Sequence, residues 1–123
     1  MIIRAWVALL ALVLVLALAG CGSKTTQTAA PQAGAATNLK LSAKDNKYTP
    51  TILEAKAGQT VRLEISDIAT PHTFTISPFR VNEAVTKIGT QTVQFAVPAT
   101  ASGPVEFFCS IHVGMGGMLQ VKP

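Results

Sequence analysis

The sequence lacks any dense cluster of positive charge. Lys and Arg number 10 and Asp and Glu number 6, which gives a formal net charge of +4 at pH 7. The basic residues beyond position 37 are scattered and do not cluster with aromatic residues: Lys40, Lys44, Lys47, Lys56, Arg62, Arg80, Lys87 and Lys122. Nucleic acid is therefore not expected as a partner. The mild surplus of positive charge is expected to tune solubility or the encounter with partners.

Long hydrophobic runs are also lacking, apart from one near the start of the chain. Residues 1–4 are short and basic, and residues 5–19 are an unbroken apolar run. This run is too short, and ends too abruptly, to predict a transmembrane helix. Leu18-Ala19-Gly20-Cys21 resembles the lipobox of bacterial lipoproteins, which implies cleavage before Cys21 and a lipid on its sulfur. An ordinary secretory signal or an uncleaved anchor helix are the alternatives, and all three export the domain.

The sequence thus predicts three parts. Residues 1–20 are a lipoprotein signal peptide, and residues 21–37 are the lipidated Cys21 with a flexible linker. That linker is built almost entirely from Gly, Ser, Thr, Gln, Ala and Pro, a composition that does not form a core. Residues 38–123 are the folded domain, which we expect to be lipid-anchored on the periplasmic or extracellular face of a membrane.

Cysteine is scarce, since the chain contains only two. With Cys21 lipidated, Cys109 is the one free thiol and no intramolecular disulfide is possible. An exported compartment oxidises exposed thiols. Cys109 is therefore either buried as a small hydrophobic residue or has a chemical role.

Helical periodicity is absent from the folded part, whose short segments alternate with period two and are separated by Gly, Pro and Asp. In residues 60–65, Val61, Leu63 and Ile65 share one face while Arg62 and Glu64 share the other. The pattern predicts an all-β sandwich of about eight strands around one core. The predicted strands are residues 39–44, 51–55, 60–65, 72–76, 84–88, 92–97, 105–109 and 118–122.

One segment concentrates metal-binding side chains. Cys109, His112 and Met115 follow a β-branched and aromatic strand in a Gly-rich loop, with the spacing Cys-x-x-His-x-x-Met. His72 is the only other histidine and begins its own predicted strand. Strand ends that are distant in sequence can meet at one end of a sandwich, so these four residues form a plausible ligand set.

The ligand types select the metal. One thiolate, two imidazoles and a weak thioether suit copper that cycles between two oxidation states. A structural zinc site prefers four strong ligands and does not use Met. Met118 is a second candidate for the thioether, but the strand-like residues that follow it favour Met115.

These residues resemble the cupredoxins. The Cys109-x-x-His112-x-x-Met115 loop has the spacing of amicyanin, and Gly117 fits the Met-x-Gly that precedes the last strand in that family. Residues 56–61 resemble its turn into a core strand, and residues 70–74 resemble its first-histidine segment. The resemblance covers about residues 39–122.

The resemblance implies a Greek-key β-sandwich with one mononuclear type 1 copper and a role as a one-electron carrier. Carried over by position, His72 and His112 are the imidazole ligands, Cys109 the thiolate and Met115 the axial sulfur. The implied partners are redox proteins such as a cytochrome or a membrane oxidase or reductase. We expect a monomer and no enzymatic activity.

The chain departs from its relatives beside the ligands. Thr73 replaces the usual Asn after the first histidine; its N–H is expected to donate to the Cys109 sulfur and its hydroxyl to reach Ser110. Ile111 replaces the Pro of amicyanin. Its free N–H is hypothesised to add a second hydrogen bond to the thiolate and to raise the reduction potential.

The exposed edge of His112 is the expected exit for the electron. An apolar docking patch around it is predicted from Val113, Gly114, Ile68 and Phe79, together with Ala69 and Pro78. Phe79 is alternatively a core residue.

Two other functions remain open from the residues. The first is a copper scavenger or delivery protein, which the same ligands would serve. The second is an enzyme with a Cys109 nucleophile activated by His72 or His112. The second is weakly supported, because no orienting Asp or Asn and no helix N-terminus are recognisable near the thiol.

Overall fold

The computed structural model describes residues 36–123. The predicted signal peptide, Cys21 and the linker up to residue 35 lie outside the described residues. Eight strands are present: β1 (Thr37–Ser42), β2 (Ile52–Lys56), β3 (Thr60–Ile68), β4 (His72–Ile76), β5 (Val81–Val85), β6 (Gly89–Ala96), β7 (Gly103–Phe108) and β8 (Gly116–Lys122). Two short 3₁₀ turns, Lys44–Asn46 and Ser77–Phe79, complete the elements of this part of the chain. Between residues 36 and 123 no helix is long and apolar enough to cross a membrane.

The strands form two sheets, which confirms the predicted β-sandwich. One sheet has three strands in the order β1-β3-β6, and the other has five in the order β2-β8-β7-β4-β5. The pairs β1/β3 and β2/β8 are parallel, while the other pairs are antiparallel. In β3, Val61, Leu63 and Ile65 are fully buried and the residues between them face solvent, as the alternation predicts.

The core between the sheets contains a cluster of aromatic rings. Phe74 from β4 and Phe107 from β7 are fully buried, with ring centroids 5.6 Å apart. Tyr48, from the loop between β1 and β2, is also buried and lies 5.9 Å from Phe107 and 6.2 Å from Phe74. Such aromatic contacts add specific geometry to the burial of apolar area.

Strand directions define the two ends of the sandwich. β4 begins at His72, and β7, which is antiparallel to it, ends immediately before Cys109. We call this the site end. β3 ends there too, because only residues 69–71 connect it to β4. Since β1 is parallel to β3 and Thr37 pairs with Val61 near the start of β3, the chain enters the domain at the opposite end.

Most strand positions agree with the sequence prediction, but β5 does not. It spans Val81–Val85, three residues before the predicted segment 84–88. Arg80 has a left-handed backbone (φ 57°) that ends the preceding 3₁₀ turn and starts the strand. Val85 is the buried residue, whereas Ile88, which suggested the later position, is 66% exposed. β1 spans Thr37–Ser42, two residues before the predicted strand 39–44.

Candidate metal centre

Three metal-binding side chains converge at the site end. The donor atoms of His72, Cys109 and His112 all lie within 4.8 Å of one another. The Nδ1 atoms of the two histidines are 3.1 Å apart, and Cys109 Sγ is 3.5 Å from His112 Nδ1. The side chains of His72 and Cys109 are buried, with 2% and 4% of their surface exposed.

The fold brings these residues together by strand pairing and a closed loop. Thr75 of β4 pairs with Phe108 of β7, which places the start of β4 beside the residue that follows β7. The loop then turns back, because the Cys109 N–H donates to the Met115 carbonyl at 2.8 Å and the Met115 N–H donates to the His112 carbonyl at 3.3 Å. Gly114 supplies the left-handed conformation (φ 78°) that this turn requires.

The two candidate thioethers differ in burial. Met115 is 1% exposed and borders the same hollow, of 540 Å³, as Cys109 and His112. Met118 is 42% exposed and pairs with Glu106 on the outer face of β8. Met118 therefore points away from the core-facing side of the sheet, which favours Met115 as the thioether near the cluster.

Hydrogen bonds hold the cluster from outside. The Thr73 N–H donates to Cys109 Sγ at 3.4 Å, and Thr73 Oγ1 lies 2.9 Å from the Ser110 hydroxyl, as expected from the sequence. Thr73 Oγ1 also accepts the Ser110 N–H at 2.7 Å. The Thr70 hydroxyl lies 3.5 Å from His72 Nε2, and this contact orients the ring with Nδ1 toward the cluster.

The hydrogen bond expected from the Ile111 N–H to the thiolate is not found among the described residues. Thr73 provides the backbone N–H that reaches Cys109 Sγ. Ile111 lies on the outer side of the loop, with 57% of its surface exposed. The loop closes through the hydrogen bond between the Cys109 N–H and the Met115 carbonyl instead.

The sequence of residues 8–121 matches the family of Cupredoxin-like domains. The match extends over most of the chain. This chain is therefore a cupredoxin.

Solved structures share the fold of this cupredoxin. The dithionite-reduced auracyanin of Roseiflexus castenholzii is 18% identical, with a TM-score of 0.57 over 73% of this chain and 100% of that one. The purple cupredoxin of Nitrosopumilus maritimus is 19% identical, with a TM-score of 0.52 over 68% of this chain and 99% of that one. The metal-binding domain of a Streptococcus pneumoniae Cu(I)-exporting P-type ATPase is 13% identical, with a TM-score of 0.57 over 70% and 85%. No curated protein matches the sequence significantly.

The donor set of this cupredoxin fits the one copper ion that the family binds. Two ring nitrogens and a sulfur face one another at the site end, where His72 and Cys109 are buried and His112 is half-buried. Groups that all carry electron pairs repel unless a proton or a cation lies among them, and a thiolate with imidazoles and a thioether selects copper. A fourth strong ligand for zinc is not present in the cluster within residues 36–123.

Burial also keeps His72 in its metal-binding form. Removal from water, with a smaller contribution from the nearby His112, lowers the pKa of His72. Neutral imidazole is the form that binds metals. The lowered pKa therefore means that protons compete less well for His72 than for an exposed histidine.

The predicted docking patch is only partly at the surface. Val113 is fully exposed beside His112, which is half-buried. Ile68, however, is 2% exposed and belongs to the core, and Phe79 is partly buried against it. Ile68 is buried because its strand extends three residues beyond the predicted end at residue 65. The exposed apolar side chain that the prediction missed near His112 is Ile111.

Sequence reasoning also missed Tyr48. Its hydroxyl donates to the Thr73 carbonyl at 2.7 Å, and its ring centroid lies 6.5 Å from that of His72. Tyr48 belongs to a loop with no periodic pattern and no metal-site spacing. The one available signal was that it is the only tyrosine in the chain.

Gly117 is required by the packing beneath the loop. A Cβ at this position would collide with the Thr51 carbonyl oxygen and lie 2.6 Å from the Phe107 ring. We expect Gly117→Ala to lower the free energy of unfolding by about 1–3 kcal/mol, because the backbone of Thr51 has to move. Urea denaturation followed by circular dichroism measures this. The exposed neighbour Met118→Ala is the control and should change stability by about 0.5 kcal/mol or less; equal midpoints for the two variants would contradict the packing argument.

Proposed function

We propose that this cupredoxin is a one-electron carrier that holds one type 1 copper through His72, Cys109, His112 and Met115. The observation that carries the proposal is the convergence of a buried thiol and two imidazole nitrogens at one end of the sandwich. When bound, the copper supplies reversible one-electron chemistry by alternating between Cu(I) and Cu(II). The protein supplies the coordination and the route to the surface.

The protein's contribution is to hold the donor atoms still. His72 begins a strand paired on both sides, and Cys109 and Met115 are joined by a backbone hydrogen bond of 2.8 Å. Thr73 holds the Cys109 sulfur through its N–H and holds the loop through its hydroxyl, which accepts the Ser110 N–H. Donors that keep their positions in both oxidation states need little rearrangement when an electron moves, which favours fast transfer.

His112 is the proposed contact with redox partners. It is half-buried, whereas Cys109, His72 and Met115 are buried. Val113 and Ile111 flank it with exposed apolar surface. A small and weakly polar surface suits a monomeric carrier that must release its partner quickly.

The proposed location is the outer face of a bacterial membrane, with the lipid on Cys21. The chain enters the domain at Thr37, at the end opposite the site, so an anchor upstream leaves the site end free to meet a cytochrome or the exposed domain of an oxidase or reductase. We expect the predicted linker, the 16 residues between Cys21 and Asn38, to span roughly 22 Å as a random coil. We expect Cys21→Ser to abolish both the incorporation of a labelled fatty acid and the cleavage before residue 21, measured by mass spectrometry, while Ser23→Ala retains both; a Cys21→Ser variant that is still labelled would contradict the lipid on Cys21.

The function is tested by adding Cu(II) to the chain from residue 22 onward. We expect an intense blue or green absorption band from thiolate-to-copper charge transfer and a reversible one-electron wave in voltammetry. A colourless protein whose Cys109 is still reduced would reject the proposal. Zn(II) is the control metal and should give neither signal.

A copper delivery role is the second candidate. The hollow of 540 Å³ beside the loop borders Cys109, His112 and Met115, and such an opening could admit an accepting ligand. A delivery protein should transfer its copper to a chelator within minutes and show no reversible wave. A carrier should retain the copper and show the wave.

A further inference from the structure

We propose that Tyr48 is a positioning residue of the copper site, acting through Thr73 to fix the hydrogen bond on the Cys109 sulfur. The proposal rests on the copper ligands proposed above. Tyr48 does not touch the donor atom itself. Its hydroxyl holds the residue that does.

Thr73 is the residue at which the contacts of the site meet. Its N–H donates to Cys109 Sγ, its hydroxyl bonds Ser110, and its carbonyl accepts the Tyr48 hydroxyl. In an extended strand the N–H and C=O of one residue point toward the same neighbour. Both backbone groups of Thr73 therefore face the gap beside β7, where the ladder between β4 and β7 includes only the pair Thr75 and Phe108.

The Tyr48 hydroxyl thus replaces a missing strand partner. Without it, the Thr73 carbonyl would lose its donor in a partly buried region, and carbonyls away from water are nearly always paired. The strand would then relax toward another donor or admit water. Because the N–H of Thr73 belongs to the same residue, its alignment with the sulfur would change as well.

Tyr48 is itself anchored to the other sheet. The next residue, Thr49, exchanges two backbone hydrogen bonds with Ser42 at the end of β1, at 2.8 and 3.0 Å. β1 belongs to the three-stranded sheet, whereas Thr73 lies in the five-stranded sheet. The Tyr48 side chain therefore connects the two sheets at the site end.

The surroundings of the ring keep the hydroxyl protonated and in place. Tyr48 is 2% exposed and packs against Phe74 and Phe107. Burial, with a smaller contribution from the nearby Cys109, raises the pKa of Tyr48. The phenol is therefore a hydrogen-bond donor at neutral pH.

The test compares Tyr48→Phe with Val121→Ala, both loaded with copper. Tyr48→Phe removes one hydroxyl, whereas Val121 is a buried residue that pairs with Gly103 at the end opposite the site. We expect Tyr48→Phe to shift the charge-transfer band to longer wavelength, to lower the reduction potential and to weaken copper binding about 10-fold or more. Val121→Ala should lower the unfolding midpoint while leaving the band and the potential unchanged. If Tyr48→Phe keeps the parent band and potential, or if Val121→Ala alters them equally, the proposal is wrong.

A double-mutant cycle with an ester at Thr73 tests the route. In this variant, made by replacing Thr73 with its α-hydroxy acid counterpart, the N–H that donates to Cys109 Sγ is removed. Because Tyr48→Phe is proposed to act on that same hydrogen bond, the combined variant should shift the band less than the two single shifts together. Additive shifts would overturn the route through Thr73. A parent protein without any band would reject the proposed copper site instead, so the two failures are distinguishable.

If Tyr48→Phe does not fold, a fluorine label on Tyr48 provides a second test. Tyr48 is the only tyrosine, so 3-fluorotyrosine supplied during growth marks it alone and retains the hydroxyl. We expect its ¹⁹F resonance to shift when Cu(I) is added to the metal-free chain, and to shift less in the ester variant at Thr73, which lacks the N–H that donates to Cys109 Sγ. A resonance that does not respond to Cu(I) in the parent, with copper bound, would overturn the proposal.

Discussion

Replacing Cys109 by serine is expected to abolish the charge-transfer band completely. The band requires a sulfur bonded to the copper, and a serine hydroxyl is a poor ligand that stays protonated. The buried Sγ lies 3.5 Å from His112 Nδ1, and no other cysteine occurs beyond Cys21. Absorption spectra with increasing Cu(II), together with the copper content after gel filtration, measure the loss.

The matched control is Ser110→Ala, which changes the adjacent residue. This substitution removes the hydroxyl contact of 2.9 Å with Thr73, but it leaves the Ser110 N–H to donate to Thr73 Oγ1 at 2.7 Å. The band should remain, with a small change in position. A band that persists in Cys109→Ser, or one that disappears equally in Ser110→Ala, would show that Cys109 is not the ligand.

The sequence predicted the fold well because strand alternation records which face is buried. Val61, Leu63 and Ile65 alternate with charged residues, and all three are buried. The prediction of β5 was wrong because Ile88 was read as a strand residue when it lies in an exposed loop. A solitary apolar residue does not distinguish a strand end from a turn, and the left-handed Arg80 that starts β5 leaves no pattern in the sequence.

The candidate metal ligands were identifiable in the sequence for a different reason. Three of them lie within seven residues, and His72 was the only remaining histidine, so composition restricted the choice. The residues that support them were harder to find. Thr73 could be placed through its position after His72, whereas Tyr48 lies 25 residues from the residue it bonds. Such a long-range contact follows from the packing of the two sheets and has no local signal.

The site end combines a rigid interior with an exposed apolar rim. The buried donors are held by strand ends, by Thr73 and by the closed loop. Val113 and Ile111 are exposed beside His112. In the proposed carrier these properties serve different steps: rigidity limits rearrangement on electron transfer, whereas the exposed rim is the proposed contact with partners. Substitutions of Val113 or Ile111 should therefore change the rate of electron transfer with a partner protein and leave the charge-transfer absorption band unchanged.

The rigid interior depends on Phe107. Of the variants named here, Phe107→Ala should cause the largest decrease in the free energy of unfolding. The ring is fully buried, contacts Tyr48 and Phe74, and lies two residues before Cys109. Removing a fully buried phenylalanine ring costs about 3–5 kcal/mol, since apolar contacts are lost and a cavity remains. A domain of this size has about 5–15 kcal/mol in total, so the variant should be close to unfolding at 37 °C.

Phe108→Ala is the control for this prediction, because it makes the same chemical change one residue later. Phe108 is half-buried on the opposite face of β7 and borders the hollow beside the loop. Its loss should cost about 1 kcal/mol, since less apolar area leaves contact with its neighbours and no closed cavity forms. Thermal and urea denaturation of the metal-free chain measure both variants without the contribution of bound copper. Because successive side chains of a strand face opposite sides of the sheet, equal losses for the two variants would mean that the assignment of inner and outer faces in β7 is wrong, and with it the placement of Cys109 on the inner face.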